Sequence, residues 1–211
     1  MIRAAVFDLD GVVRHFDPDH VRAIERRHGV PEGAIESFAF AQPQIEDVTT
    51  GRIRRAAWVE MIAQHIGNAA AAAEWGSQPS QVDPNILDLA AELRAAGIVT
   101  AILTNGTDTI PAEAAELGLV RHFDPIFNSS AIGYIKPDIR VFHYVLDQLG
   151  LDAQEVFFTD DSERTLQGAQ ACGMHAHHFR GIGPLRAALA QHQLVARGGA
   201  EPGRCGPRRF G

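Results

Sequence analysis

Short apolar runs that end abruptly in polar turns recur along this chain. Residues 2–7 (IRAAVF) are apolar at nearly every position, as expected for a strand buried on both faces of a parallel sheet. Comparable runs lie at 98–103 (IVTAIL), 125–128 (PIFN), 155–159 (EVFFT) and 174–179 (MHAHHF). Amphipathic segments separate them and carry helix punctuation. In 83–97 (DPNILDLAAELRAAG), Asp83 is placed to cap, Pro84 occupies the first turn and Gly97 stops the helix. Segments 137–150, 162–173 and 184–194 read as helices too, the first two ending in Gly. The alternation predicts an α/β fold, a Rossmann-like and mostly parallel sheet flanked by helices.

Between residues 14 and 82 the strand signal disappears, and helical segments are expected near 18–28, 31–40, 52–66 and 69–75. This predicts an all-helical insertion after the first strand, placed as a cap over the C-terminal edge of the sheet, where ligands of open α/β sheets bind. The expected organisation is a core of 1–13 and 83–196, a cap of 14–82 and a flexible, Gly-, Pro- and Arg-rich tail of 197–211. A length of 211 residues suits one core with a modest insertion.

A formal net charge of −7 provides no basic field for nucleic acid or an anionic membrane, which favours a small-molecule partner. With no apolar stretch suited to a secretory leader or a membrane span, a cytoplasmic location is expected, as monomer or homodimer. Cys172 and Cys205 lack the spacing of a disulfide framework or a zinc site. His175 and His177 share a strand face, but no acid or thiol nearby in sequence completes a metal site, and a polar edge strand accounts for His175, His177 and His178. Trp58 and Trp75 have apolar neighbours and read as packing residues.

Candidate chemistry collects where the apolar runs stop. Asp8 and Asp10 are two residues apart and can share one crevice, with Gly11 letting the chain turn away. Two close carboxylates are costly unless a cation offsets them or one keeps a proton, and either condition serves phosphoryl transfer. By itself DxDG also reads as a surface acidic turn. Thr104, Asn105 and Gly106 offer a hydroxyl, an amide and backbone N–H groups, a turn able to bind phosphate oxygens but common in other roles. Lys136 precedes Pro137 at a helix start, where it can neutralise phosphate or simply lie exposed. Asp160 and Asp161 end the run at 155–159; Asp161, with Asp8 and the backbone carbonyl of Asp10, can supply oxygen ligands to Mg²⁺, and it or Ser162 can equally cap the next helix.

In their order along the chain, FDLDG, LTNG, KPD and FFTDDSERTLQGAQACGM resemble the four motifs of the haloacid dehalogenase superfamily, specifically its phosphatases with a helical cap after the first motif. The resemblance covers residues 4 to about 180 and implies a Mg²⁺-dependent phosphatase acting on a small phosphate monoester. It implies Asp8 as the nucleophile that becomes an aspartyl-phosphate, and Asp10 as the acid that protonates the leaving alcohol and then activates water. Thr104, Asn105, Gly106 and Lys136 would hold the phosphoryl group, and Asp8, Asp10 and Asp161 would hold the metal. Asp160 would support the site from behind. Many relatives carry Asn or Asp four residues after the metal-binding Asp, where this chain has Thr165. Substrate choice is expected from the cap and the loop after the first motif: Arg14, His15 and Phe16, then Arg52, Arg54 and Arg55, with Arg14 and Arg52 as the anion-binding candidates. A phosphomutase on the same scaffold and a catalytically weak binding module are the competing functions. Dehalogenation is disfavoured by Asp10, from which the dehalogenase branch departs.

Overall fold

The computed structural model describes residues 1–195; the tail expected at 197–211, with Cys205, lies outside them. The chain starts with β1 (Ala4–Phe7) and β2 (Arg14–Phe16), then forms α1 (Pro18–His28), α2 (Ala34–Ala39), α3 (Gln44–Thr49), α4 (Arg55–Ile66) and α5 (Ala69–Gly76). Next come β3 (Ser80–Val82), α6 (Pro84–Ala95), β4 (Val99–Thr104), α7 (Ile110–Glu116), β5 (Ile126–Asn128) and α8 (Ser129–Ile132). It ends with α9 (Ile139–Leu149), β6 (Val156–Asp160), α10 (Glu163–Cys172), β7 (His175–His178) and α11 (Ile182–Gln191).

Five strands form one sheet in the order β5-β4-β1-β6-β7, and every pair in it is parallel. From the central β1 the chain moves to β4 and β5 on one side, then returns to β6 and β7 on the other. The order therefore reverses at β1, the point where open α/β sheets leave a crevice beyond their C-terminal strand ends. Both faces of the sheet are covered, which is why its strands read as apolar runs rather than alternating ones. Ala5 and Phe7 pack with Ile86, Leu89, Leu93, Leu185 and Leu189 from α6 and α11. Ala4 and Val6, pointing the opposite way, pack with Val141, Phe142, Val145 and Leu166 from α9 and α10.

Residues 18–76 build their own apolar cluster, in which Val21, Ile24, Ile35, Ile62, Trp58 and Trp75 meet. Within it the buried carboxylate of Glu25 accepts hydrogen bonds from the backbone N–H groups of Gly33 (2.8 Å) and Ile35 (3.0 Å). It satisfies donors at the start of α2, whose N-cap, Gly33, has no side chain to do so. Where this segment leaves and rejoins the sheet, β2 and β3 pair as an antiparallel ribbon, Arg14 opposite Val82 and Phe16 opposite Ser80. These two strands are an addition to the helices expected there. The Ser129 hydroxyl donates to the Thr49 carbonyl at 2.5 Å and ties the segment to the start of α8. Among the described residues no helix is long and apolar enough to cross a membrane.

Helix α10 approaches the loop before α9 so closely that only a missing side chain permits it. A Cβ on Gly168 would lie 2.2 Å from the Pro137 carbonyl oxygen and 2.4 Å from the Phe142 ring. Backbone cannot yield as a flexible side chain would, so Gly168→Ala should cost about 1–3 kcal/mol through overpacking. Urea unfolding should show a lower midpoint with an unchanged slope; an unchanged midpoint would contradict this packing.

Candidate active site

Strand register brings the acid that follows β1 level with the acid that ends β6. Phe7 lies opposite Thr159, so the next residue on each strand, Asp8 and Asp160, come level at the C-terminal edge of the sheet. The Asp8 backbone N–H donates to the Thr159 carbonyl at 2.9 Å, which holds the chain in register one residue past β1. Both carboxylates are buried, and both meet one cation: Lys136 Nζ donates to Asp8 Oδ1 at 2.6 Å and to Asp160 Oδ2 at 2.7 Å. Asp160 Oδ1 also accepts from the Ser162 backbone N–H at 2.9 Å. The Lys136 ammonium stands 5.6 Å from the centre of the Phe158 ring.

The position of Lys136 is set by Asn105. The Asn105 amide nitrogen donates to the Lys136 carbonyl at 3.0 Å, and its amide oxygen accepts from the Lys136 N–H at 2.8 Å. The side chain expected to contact phosphate thus braces the backbone of the lysine instead. Thr104 is buried at the end of β4, and Gly106 follows Asn105 in the turn beyond it. The backbone N–H groups of Asn105 and Gly106 donate to no protein acceptor among the described residues.

Asp161 completes the acidic group. One oxygen from each of Asp8, Asp160 and Asp161 falls within a 4.8 Å span. The Asp161 carboxylate reaches back against the turn after β1, where a Cβ on Gly11 would lie 2.2 Å from Asp161 Oδ2. Gly11 has φ +91° as well, so both the backbone conformation and the space exclude a side chain. Three carboxylates against one ammonium leave excess negative charge in a partly buried site. Burial is the main cause that pushes the Asp8 carboxyl up to about 7; Lys136 opposes this and Asp160 adds to it. Burial also raises Asp161, helped by Asp160. For Lys136 burial acts to lower the pKa, but Asp8 and Asp160 outweigh it and hold the ammonium charged. Hard oxygen donors in excess over cations form a set that fits Mg²⁺. The Asp10 carboxylate lies outside this set; only its backbone carbonyl was expected to contribute.

Asp10 is oriented from the other direction. Arg14 Nε donates to Asp10 Oδ1 at 2.5 Å, while Oδ2 is held more loosely by the terminal nitrogen at 3.4 Å. The far side of the same guanidinium donates to Glu113 Oε2 at 2.6 Å. Glu113 Oε1 accepts from the Thr109 hydroxyl at 2.6 Å, and Thr109 shares a 2.8 Å hydrogen bond with Thr107. Burial acts to raise the Glu113 pKa, but hydrogen bonds from Thr109 and Arg14 hold it below its ordinary value. Arg14 is therefore buried and committed to two carboxylates, a role different from the anion binding expected of it. Arg52 is not brought to the site. It pairs with Glu46 (3.1 Å) and Asp47 (3.0 Å) on an exposed surface. Arg55 lies at the cavity beside Asp10, Arg14 and Gly106, with its backbone N–H donating to Asp108 at 2.8 Å. The role of Glu113, and the bracing role of Asn105, depend on partners far away in sequence. Thr165 is buried on α10, and the His175, His177 and His178 side chains lie on edge strand β7.

Comparison with known proteins identifies relatives of this chain and its family. The chain is 26% identical over 187 residues to a phosphoglycolate phosphatase of Aliivibrio fischeri, covering 83% of this chain and 82% of that protein. It is 29% identical over 199 residues to bifunctional epoxide hydrolase 2 of Rattus norvegicus, covering 82% of this chain but 35% of the longer rat protein. Among solved structures, a Bacteroides thetaiotaomicron HAD family enzyme in complex with magnesium and inorganic phosphate superposes with a TM-score of 0.72 at 24% identity, covering 84% of this chain and 94% of that one. The family model for haloacid dehalogenase-like hydrolases matches residues 2–173, which span β1 to the end of α10. The chain belongs to the haloacid dehalogenase-like hydrolases.

Proposed function

We propose that this hydrolase is a Mg²⁺-dependent phosphatase that cleaves a small phosphate monoester through an aspartyl-phosphate on Asp8. The observation that carries the reading is the buried Asp8 carboxylate, 2.6 Å from Lys136 Nζ in a group of acids with too few cations. A dianionic phosphate would be repelled by this group unless further positive charge were present. Asp8 and Asp161, with the Asp10 backbone carbonyl, would hold Mg²⁺, whose charge offsets the phosphate and the carboxylates around it. Residues 14–82 act in this reading as a cap over the core formed by 1–13 and 83 onward. Asp160 serves as the fixed counter-charge that keeps Lys136 aimed at Asp8.

The steps balance on the chain's own groups. An Asp8 carboxylate oxygen bonds to phosphorus as the bond from phosphorus to the ester oxygen breaks, and Asp10 gives its proton to that leaving oxygen. Arg14 fixes one Asp10 oxygen and leaves the loosely held Oδ2 as the one to carry the proton. Asp10, now ionised, takes a proton from water, whose oxygen bonds to phosphorus while the bond to Asp8 breaks. Lys136 and the N–H groups of Asn105 and Gly106 would receive the phosphoryl oxygens, and Thr104 would add its hydroxyl.

Steady-state hydrolysis of para-nitrophenyl phosphate tests these roles. Asp8→Asn should lower kcat by more than about 10³-fold, and Asp10→Asn by about 10²–10⁴-fold. Retained turnover in Asp8→Asn would contradict the nucleophile, and an isomer formed without net phosphate release would indicate a mutase.

Metal binding should be linked to the Asp8 proton. With its pKa pushed up to about 7, Asp8 is mostly protonated below that pH in the metal-free protein, and Mg²⁺ must displace the proton. Calorimetry in buffers of different ionisation enthalpy should therefore show release of close to one proton at about pH 6 and almost none above about pH 8, with affinity rising through the interval. Affinity and proton release independent of pH would contradict the assignment.

A further inference from the structure

The region beyond Asp10 is a cavity of about 280 Å³ that runs from the phosphate-binding turn into the helical segment. It is near the small end of small-molecule sites, at about 300–1,000 Å³, and far larger than a two-carbon leaving group needs. Four aromatic residues line it, Phe16, Phe40, Trp58 and Trp75; the last three pack edge to face, Trp58 and Trp75 at 5.0 Å between ring centres and Phe40 at 6.3 Å and 6.4 Å from them. Phe40 is 54% exposed, an unusual position for a large apolar ring beside a polar centre. Trp75 is buried, and its indole Nε1 has no hydrogen-bond partner among the described residues.

The charges on the same wall are arranged against a second anion. Both cations that line the cavity are already committed: Arg14 to Asp10 and Glu113, and Arg55 to Glu113 at 3.6 Å and to the Gly76 carbonyl at 2.8 Å. Glu36, which also lines the cavity, has no cationic partner among the described residues. A leaving group bearing a carboxylate would meet an unpaired acid and no available arginine. An apolar ring would meet an aromatic wall.

We propose that the substrate is the phosphate monoester of an uncharged aromatic or alkyl alcohol, seated against Phe40, Trp58 and Trp75, and that anionic leaving groups are disfavoured. The inference rests on the phosphatase reading above and narrows its substrate class.

Benzyl phosphate, n-hexyl phosphate and 2-phosphoglycolate, all esters of primary alcohols, allow a direct test with the full chain and Mg²⁺. The kcat/KM for benzyl phosphate should exceed that for 2-phosphoglycolate by at least about tenfold, and Phe40→Ala should reduce this ratio by about fivefold or more. The chain has 2 tryptophans, both in the cavity wall. In the Asp8→Asn protein, benzyl phosphate should therefore change the tryptophan emission saturably at concentrations about tenfold below those needed for 2-phosphoglycolate. Phosphate release from all three esters with 2-phosphoglycolate equal or preferred would overturn this proposal and leave the phosphatase reading standing. Absence of release from any ester would overturn the phosphatase reading and this proposal with it.

Discussion

One buried ammonium shared by two buried carboxylates is the interaction around which the rest of this molecule is arranged. Lys136 touches Asp8 and Asp160 at 2.6 and 2.7 Å, with Asp161 close by. Removing one partner from such a buried group typically costs about 3–5 kcal/mol, because the remaining charge is left without compensation. Adding partners has its own limit, since a second carboxylate on one ammonium leaves net negative charge in a site of poor solvation. The group is balanced only when a proton or a further cation joins it. In the proposed phosphatase that imbalance would make the site receptive to a metal and a phosphate together, and would link the structural role of Lys136 to a chemical one.

The fold can be understood as the support for that group. The central strand β1 carries Asp8, neighbouring β6 carries Asp160, and close packing of Gly168 against the Pro137 carbonyl holds the loop that carries Lys136. Asn105 grips the Lys136 backbone from the end of β4. On the outer side, a chain of hydrogen bonds from Thr107 through Thr109, Glu113 and Arg14 orients Asp10. Asp8 and Asp10 are thus held by separate systems, one through the sheet and one through α7. In the proposed reaction this separation would suit two acids that must differ in protonation at the same moment.

Much of this was legible in the sequence, for a local reason. Asp8, Thr104 and Asp160 each follow an apolar run whose burial fixes its strand, so their placement at one edge of a parallel sheet follows from the runs themselves. For Lys136 and Asp161 the residues alone left an exposed helix start and a helix cap as open readings, and the family resemblance favoured the site. What escaped was the detail of long-range pairing. Nothing near Asn105 indicates that its amide serves a backbone 31 residues away, and nothing near Arg14 points to Glu113, 99 residues away. Arg52 was a candidate because of its charge, but acids five and six residues before it hold it on the surface. The β2–β3 ribbon was hidden because RHF and SQV are short and polar, and pair only because the helical segment brings its two ends together.

In the proposed reaction Asp8 carries the phosphoryl group between the two half-reactions. Acid quenching during turnover, followed by peptide mass mapping, tests it most directly, because an acyl phosphate survives acid and is lost on treatment with hydroxylamine. A phosphoryl group is expected on the peptide that contains Asp8, sensitive to hydroxylamine and absent without Mg²⁺. Turnover with no phosphoryl group on any peptide, or with one on a different residue, would contradict it.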